Sequence, residues 1–254
     1  MSGTKLFEAG GYRFIPGPFQ YSSGVIAERG NAIVRLRFAR PVALVKGFAA
    51  IKAHIEALGQ PLTSLCACEL RSPQPFSDGG FTAFNREYVK TLAAWGILDG
   101  ETNPVARSNV CPVTDAPPEP SFHAFSFVVP GGAVGNAPSF VVAGSAESLP
   151  GTEPYDKRIV RFGDASADGL REKSTYVLDV MEKRLAVFGL GWADTTAAQI
   201  YSVHDIHPVV AGEIARRRAG ANGMTWHYAR PPVVGLEYEM DCRAVAEERV
   251  VPTS

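Results

Sequence analysis

Apolar residues recur at three- and four-residue steps in PVALVKGFAAIKAHIEALG, where Val45, Phe48, Ile51, Ile55 and Leu58 share one face. That period predicts an amphipathic helix ended by Gly59. The next run, LTSLCACEL, predicts a strand with the Pro/Ser/Gly-rich loop RSPQPFSDGG behind it. A second helix follows, with Phe81, Phe84, Tyr88, Leu92 and Trp95 on one face. Beyond it come the tract NPVARSNVCPV, the proline-rich turn DAPPEP and the apolar strand SFHAFSFVV, and PGGAVGNAP then breaks the chain near its middle.

Past the break the order begins again. An apolar strand, SFVVAGSA, leads through a loop to a long helix carrying Val177, Val180, Met181, Leu185 and Phe188, which stops at Gly189 or Gly191. The strand AAQIYSVHD, a helical piece near VVAGEIARRR, the tract WHYARPPV and the strand LEYEMDCRAV complete the chain. In that last strand Leu236, Tyr238, Met240 and Cys242 alternate with Glu237, Glu239, Asp241 and Arg243, the pattern of a strand with one face in the core and one in solvent. Helix, glycine stop, strand, helix, Ala-Arg tract and final strand thus occur twice, with Arg107 and Arg230 at equivalent places. Internal duplication is the economical reading, with domains over 1–130 and 131–254.

Composition narrows the function. The chain has 254 residues, 46% of them apolar, enough for one large core or two ordinary ones. Its 25 basic and 26 acidic side chains leave a formal charge of -1, so no global field draws it to nucleic acid or to an anionic membrane. The N-terminus has no apolar core of signal-peptide length, and no apolar run approaches the roughly 18 to 20 residues of a bilayer span. A cytoplasmic location and a small-molecule partner are expected. Cys66, Cys68, Cys111 and Cys242 show no zinc-type spacing and read as buried free thiols, and Pro208 argues against a helical metal pair of His204 and His207. No metal and no cofactor is expected.

Several short motifs resemble the Rid (YjgF-type) enamine/imine deaminase family. They are GPFQYSSGV near residue 17, FTAFNREY with Phe81, Asn85 and Tyr88, PVARS with Arg107, GNAPSFVVAG with Gly144, YARPPV with Arg230, and LEYEMD with Glu237. The resemblance covers nearly the whole chain. It implies an α+β fold of two tandem Rid-like (chorismate-mutase-like) domains, each a mixed sheet with two helices on one face. It also implies a trimer or trimer-like homo-oligomer with sites in clefts between units. The long tandem form looks most like deaminases of 2-aminomuconate and its chlorinated relatives. The two halves depart from the family differently. IVRLRFARP, with Arg35, Arg37 and Arg40, replaces the small residues of an early strand that the second half keeps as VVAGSA, and His123 stands where the second half has Glu237.

Hydrolysis of a carboxylated enamine or imine needs a cation to hold the carboxylate, a group to aim water at the imine carbon, and donors for developing charge. Arg230 suits the first role, since a guanidinium binds carboxylate bidentately. Glu237 suits the second, since a carboxyl in a partly apolar cleft keeps its proton to higher pH. Backbone N–H groups near Gly144 suit the third. Arg107 with His123 forms a second candidate carboxylate site, Asn85 a substrate-orienting group, Tyr228 beside Trp226 an aromatic wall, and His204 a further cleft residue. Each also has a purely structural reading: Arg230 in an ion pair with Glu239, Glu237 facing solvent, His123 a satisfied core histidine, Asn85 a local backbone cap. Two other functions compete with a deaminase: a chorismatase-like enol-ether hydrolase, and a ligand-binding protein without catalysis.

Overall fold

A computed structural model describes residues 3–131 and 137–253; the glycine-rich break at 132–136, with the start of GNAPSFVVAG, lies outside the described residues. The first half contains β1 (Lys5–Phe7), β2 (Tyr12–Ile15), β3 (Gly24–Ala27), β4 (Asn31–Ala43), α1 (Leu44–Ala57), β5 (Leu65–Arg71), α2 (Asp78–Ala94), β6 (Ala106–Pro112) and β7 (Ser121–Pro130). The second contains β8 (Phe140–Ala146), the single turn α3 (Tyr155–Arg158), α4 (Ala167–Val187) and β9 (Ala197–Tyr201). After these come the short pieces α5 (His207–Val209) and α6 (Ala215–Arg217), then β10 (Met224–His227), β11 (Ala229–Arg230), β12 (Glu239–Ala244) and β13 (Glu247–Val251). No helix among the described residues is long and apolar enough to cross a membrane.

Local sequence accounts for the long helices. Ser77 and Ser166 each accept a hydrogen bond from the backbone N–H of the glycine three residues on, at 3.2 Å, and Asp78 and Asp168 follow in the first turn, where a negative charge meets the positive end of the helix. Gly59, Gly96 and Gly189 end helices at φ of 67°, 71° and 75°, a conformation that side chains rarely adopt. α1 buries Phe48, Ile51 and Ile55 as its period predicts, but Val45 at its start is 85% exposed and Leu58 at its end 46%, so the apolar face is shorter than the sequence suggests.

The two halves share a strand order. β4, α1, β5, α2, β6 and β7 give a sheet read β6-β5-β7-β4, and β8, α4, β9, the α5–α6 segment, β10 and β12 give β10-β9-β12-β8. β5 runs parallel to β6 as β9 does to β10, and β7 lies antiparallel between β5 and β4 as β12 does between β9 and β8. The sheets nevertheless do not divide at residue 130. β1, β2 and β3 extend the seven-stranded sheet beyond β8, while β11 and β13 add to opposite edges of the six-stranded one. The architecture is mixed α+β with two mixed sheets.

Three apolar clusters fix the layering. Phe48, Ile51, Phe84, Tyr88 and Leu92 of α1 and α2 pack on one face of the six-stranded sheet, and Val177, Met181 and Leu185 of α4 on one face of the seven-stranded sheet. A third cluster, with Tyr12, Val25, Cys66, Ala106 and Ala143, joins strands of both sheets. The sheets therefore press against each other, and the polar face of LEYEMDCRAV meets protein: Glu239, Asp241 and Arg243 are all buried. The expected solvent-facing side of that strand is a correction, and its cause is the second sheet.

Buried polar groups need partners, and the seam between the sheets supplies most of them. Arg35 donates from Nε and Nη2 to both oxygens of Glu69 at 2.6 and 2.8 Å, and from Nη1 to Glu248 at 3.0 Å. Arg243 donates to the two oxygens of Glu248 at 2.8 and 3.0 Å. Asp241 accepts from Ser108 Oγ at 2.6 Å, Gln199 Nε2 at 2.8 Å and Tyr201 Oη at 2.9 Å, so β6, β9 and β12 are tied at one carboxylate.

Removing one member of a buried pair strands its partner, whereas an exposed pair contributes little. Glu69→Leu is expected to destabilise the protein by about 3–5 kcal/mol. Lys52→Ala, which breaks the exposed Lys52–Glu56 pair on α1, is expected to change stability by less than about 0.5 kcal/mol. Urea unfolding of the two variants measures the difference.

Candidate active site

A cleft of about 470 Å³ opens at one end of the seam, with walls from both halves of the chain. Arg107 on β6 is 3% exposed, yet among the described residues its guanidinium has no hydrogen-bond partner, and Nε and Nη1 are buried. α2 explains its setting. Phe81, Phe84 and Tyr88 fall at three- and four-residue steps on the buried face of that helix, and with Tyr21 they surround the guanidinium at 4.9 to 5.8 Å from ring centre to Cζ. Asn109, two residues along the same strand, also lines the cleft; its Oδ1 accepts from Ser72, and its Nδ2 has no partner.

Glu239 enters from the first position of β12. It is 4% exposed and its carboxyl makes no side-chain hydrogen bond among the described residues. Gly144 on β8 makes room for it: a methyl group there would stand 2.2 Å from Glu239 Oε1 and 3.2 Å from the Ser108 backbone. Burial, followed by the charge of Asp241, pushes the Glu239 carboxyl well above the usual carboxylate range, and the opposing pull of Arg107 does not reverse this. Burial also opposes charge on Arg107, but a guanidinium keeps its proton in proteins. Glu239 is thus the group that stays neutral.

Below Glu239 lies an ion pair with both side chains fully buried. Lys173 Nζ donates to Glu147 Oε1 at 3.2 Å, and the Glu147 carboxylate accepts the backbone N–H groups of Glu237 at 2.7 Å and Tyr238 at 3.1 Å. That clamp fixes the backbone immediately before Glu239. One stripe of α4, residues 173, 176, 180 and 184, faces this region. Tyr176 Oη donates to Ser148 O at 3.0 Å, and Arg184 Nη1 donates to Ala143 O at 2.8 Å, while Nε and Nη2 have no hydrogen bond among the described residues. Arg158 holds the loop before α3, donating to the carbonyls of Leu149 and Glu153 at 2.7 Å each. Three guanidinium groups and one carboxyl therefore line the cleft, with no histidine, lysine or second acid among the described lining residues. A small dianion is the ligand this charge balance suits.

The residues expected from sequence are distributed unevenly about this cleft. Arg107 and Gly144 line it. Arg230 does not: it is exposed on β11, which pairs with β6 at the edge of the six-stranded sheet, opposite Cys111. Glu237 lies outside the lining too, half-buried, with Oε2 2.6 Å from His204 Nε2. The structure joins Glu237 to His204 and neither to Arg230. Asn85 is buried within α2, where Nδ2 donates to Phe81 O at 2.7 Å. His123 on β7 is half-buried at the seam, where burial and then Arg71 push its imidazole down to about 3. Tyr228 is 57% exposed. Glu239 and Arg184 were missed. Glu239 is the second glutamate of LEYEMD, where sequence alone suggests an ion-pair partner for Arg230. The signal for Arg184 is fainter, a polar residue in register with Lys173 and Tyr176 on the buried side of its helix.

Comparison with known proteins addresses the chemistry. The model of the 2-aminomuconate deaminase CnbZ family matches residues 4–249. A 2-amino-5-chloromuconate deaminase of Comamonas testosteroni is 52% identical over 251 residues, spanning 99% of this chain and all of that one. Among solved structures, a chorismatase crystal structure aligns with a TM-score of 0.51 at 12% identity, over 88% of this chain and 77% of its own, a likeness of fold alone. These matches agree with the deaminase chemistry that the motifs implied and lend no support to the Rid assignment itself.

The burial of Glu239 has a cost that pH should reveal. Its folded-state pKa lies above its unfolded value, so the unfolded chain releases this proton first and stability falls as pH rises from about 4.3 towards the raised value. Glu239→Gln lacks that slope. The variant is expected to match wild type in melting temperature near pH 4 and to exceed it increasingly towards pH 8. A difference that stays constant with pH would show that Glu239 is ionised in the fold.

Proposed function

The chain belongs to the 2-aminomuconate deaminase CnbZ family, and we propose that it hydrolyses 2-aminomuconate or its 5-chloro analogue in the cleft between its halves. It is an enzyme, a deaminase. The observation that carries the assignment of the site is Arg107: a buried guanidinium without one hydrogen bond, beside a carboxyl that burial keeps protonated. Arg107 and Arg184 hold the two carboxylates of the substrate, each offering nitrogens that the protein leaves unbonded. The aromatic residues around Arg107 exclude water from that contact and strengthen it.

Glu239 moves the protons. As the neutral acid it protonates a carbon of the enamine, turning the C–N bond into an iminium. As the resulting carboxylate it takes a proton from the water that adds to the iminium carbon, the one bonded to nitrogen; it passes that proton to nitrogen as ammonia leaves, and the hydroxyl proton returns to the carboxylate as the carbonyl forms. Asn109 Nδ2 is a donor available to the growing charge. No cofactor enters this scheme.

The finer expectations belong to the same proposal. The chain is read as two tandem Rid-like units over 1–130 and 131–254, supported by the repeated strand order. A trimer-like homo-oligomer follows from that relationship. A cytoplasmic location is supported by four cysteines that are all free and buried.

Ammonia release from freshly generated 2-aminomuconate tests the assignment. Arg107→Ala is expected to lower kcat/KM by roughly 10- to 150-fold, the worth of hydrogen bonds to a charged group. Glu239→Gln is expected to lower kcat by about 100-fold or more, and Gly144→Ala to lower it by at least about tenfold by displacing the carboxyl. Arg230→Ala is expected to stay within about twofold of wild type, since surface changes away from a site act weakly. Wild-type kcat should fall as pH rises through the raised pKa of Glu239. Full activity in Arg107→Ala together with loss in Arg230→Ala would move the site to β11.

A further inference from the structure

Among the described lining residues the cleft has a single carboxyl and no strongly basic group besides its arginines. Glu239 is the only acid among the described lining residues, there is no histidine or lysine beside it, and no second carboxylate waits to receive an ammonium ion. The groups that would grip the substrate, Arg107 and Arg184, address carboxylates at its ends. On the reading given above, the chemistry opens with proton transfer from Glu239 to carbon, before water or the amine takes part.

A 2-hydroxydienedioate has the same carbon skeleton and the same two carboxylates, with O–H where the substrate carries NH₂. Its enol carbon is nucleophilic for the same reason as the enamine carbon: a lone pair on the heteroatom feeds the double bond. We propose that this cleft also catalyses the ketonisation of 2-hydroxymuconate, a tautomerisation that needs only the first half of the deaminase machinery. The inference rests on the proposed placement of the deamination in this cleft.

The step balances without a co-reactant. The O–H bond of the Glu239 carboxyl breaks as the π electrons of the enol form a C–H bond, and the oxygen lone pair closes to a carbonyl. The hydroxyl proton then passes to the Glu239 carboxylate, directly or through one water, and the acid is restored. The charged groups facing Glu239 support its role as the acid. Asp241 on its own strand and Glu147 behind it favour the protonated form; Arg107 on β6 and Arg71 on β5 oppose it without prevailing against burial. Gly144 holds open the notch in which the carboxyl sits. In this view deamination and ketonisation are two outcomes of one carbon protonation, decided by whether the substrate brings an amine that water must displace or a hydroxyl that need only lose its proton.

The experiment follows the loss of the conjugated absorbance of 2-hydroxymuconate with the full-length protein, alongside ammonia release from 2-aminomuconate by the same preparation. Ketonisation about 100-fold or more above the buffer rate is expected, with stereospecific uptake of one deuterium from D₂O and return to the buffer rate in Glu239→Gln. In wild type, 2-hydroxymuconate should inhibit ammonia release competitively, with an inhibition constant equal to its own KM, a readout that does not depend on the variant folding. Ammonia release without faster ketonisation overturns the inference and leaves the deaminase site standing. Ketonisation that persists in folded Glu239→Gln also overturns it. Ketonisation without ammonia release from 2-aminomuconate upholds it and removes the proposed deaminase substrate, and a protein that does neither removes both.

Discussion

Two sheets that turn charged faces toward each other must settle those charges inside the protein, and this structure is organised by that constraint. Glu69 is bound by Arg35, Glu248 by Arg35 and Arg243, and Asp241 by three donors from two strands. Towards the cleft the settlement stops. Among the described residues Arg107 finds aromatic rings and no acceptor, and Glu239 finds a notch and no donor. The candidate site lies at the end of the seam where the pairing is least complete. Binding energy for a dianion is available there because the protein itself leaves its arginines incompletely bonded.

The same arrangement sets a tension between stability and chemistry. A carboxyl in water would be ionised at neutral pH and unable to give a proton to carbon; burial beside Asp241 favours its protonated form, at a cost to the fold. The fully buried Lys173–Glu147 pair holds the backbone on which that carboxyl is mounted. Rigidity is bought there with desolvation, since two charges are kept from water to fix two peptide groups. On the proposed mechanism, activity and instability have a common source in a few residues along β8, α4 and β12.

Much of the fold was legible in the sequence because periodicity reports burial directly. The helices at Phe48–Ile55, Phe81–Leu92 and Val177–Leu185 appear where their apolar steps place them. β12 shows where that reading stops. Alternation tells that two faces differ, and it does not tell whether the polar face meets water or another sheet, so Glu239 and Asp241 looked solvent-facing when they are buried. The site was half legible for a related reason. Arg107 and Gly144 sit in short local motifs, while Glu239 and Arg184 reach Gly144 through strand pairing and helix packing in the second half, and all three reach Arg107 only where the two halves meet. Arg230 stands in YARPPV, in the half that keeps Gly144 and carries Glu237, and the sequence alone places the three together. β11 leaves its own half to pair with β6, which carries that arginine away from the cleft.

The traded edge strands bear on the history open to such a chain. β1 to β3 lie on the sheet of the second half, and β13 lies parallel to β4 of the first, so each terminus is sewn into the opposite half. Neither half closes its sheets alone, and the two can be inherited only together. Once that holds, neither needs a complete catalytic set. One can keep the arginine and the other the acid, and every later loss on one side makes the partnership harder to undo.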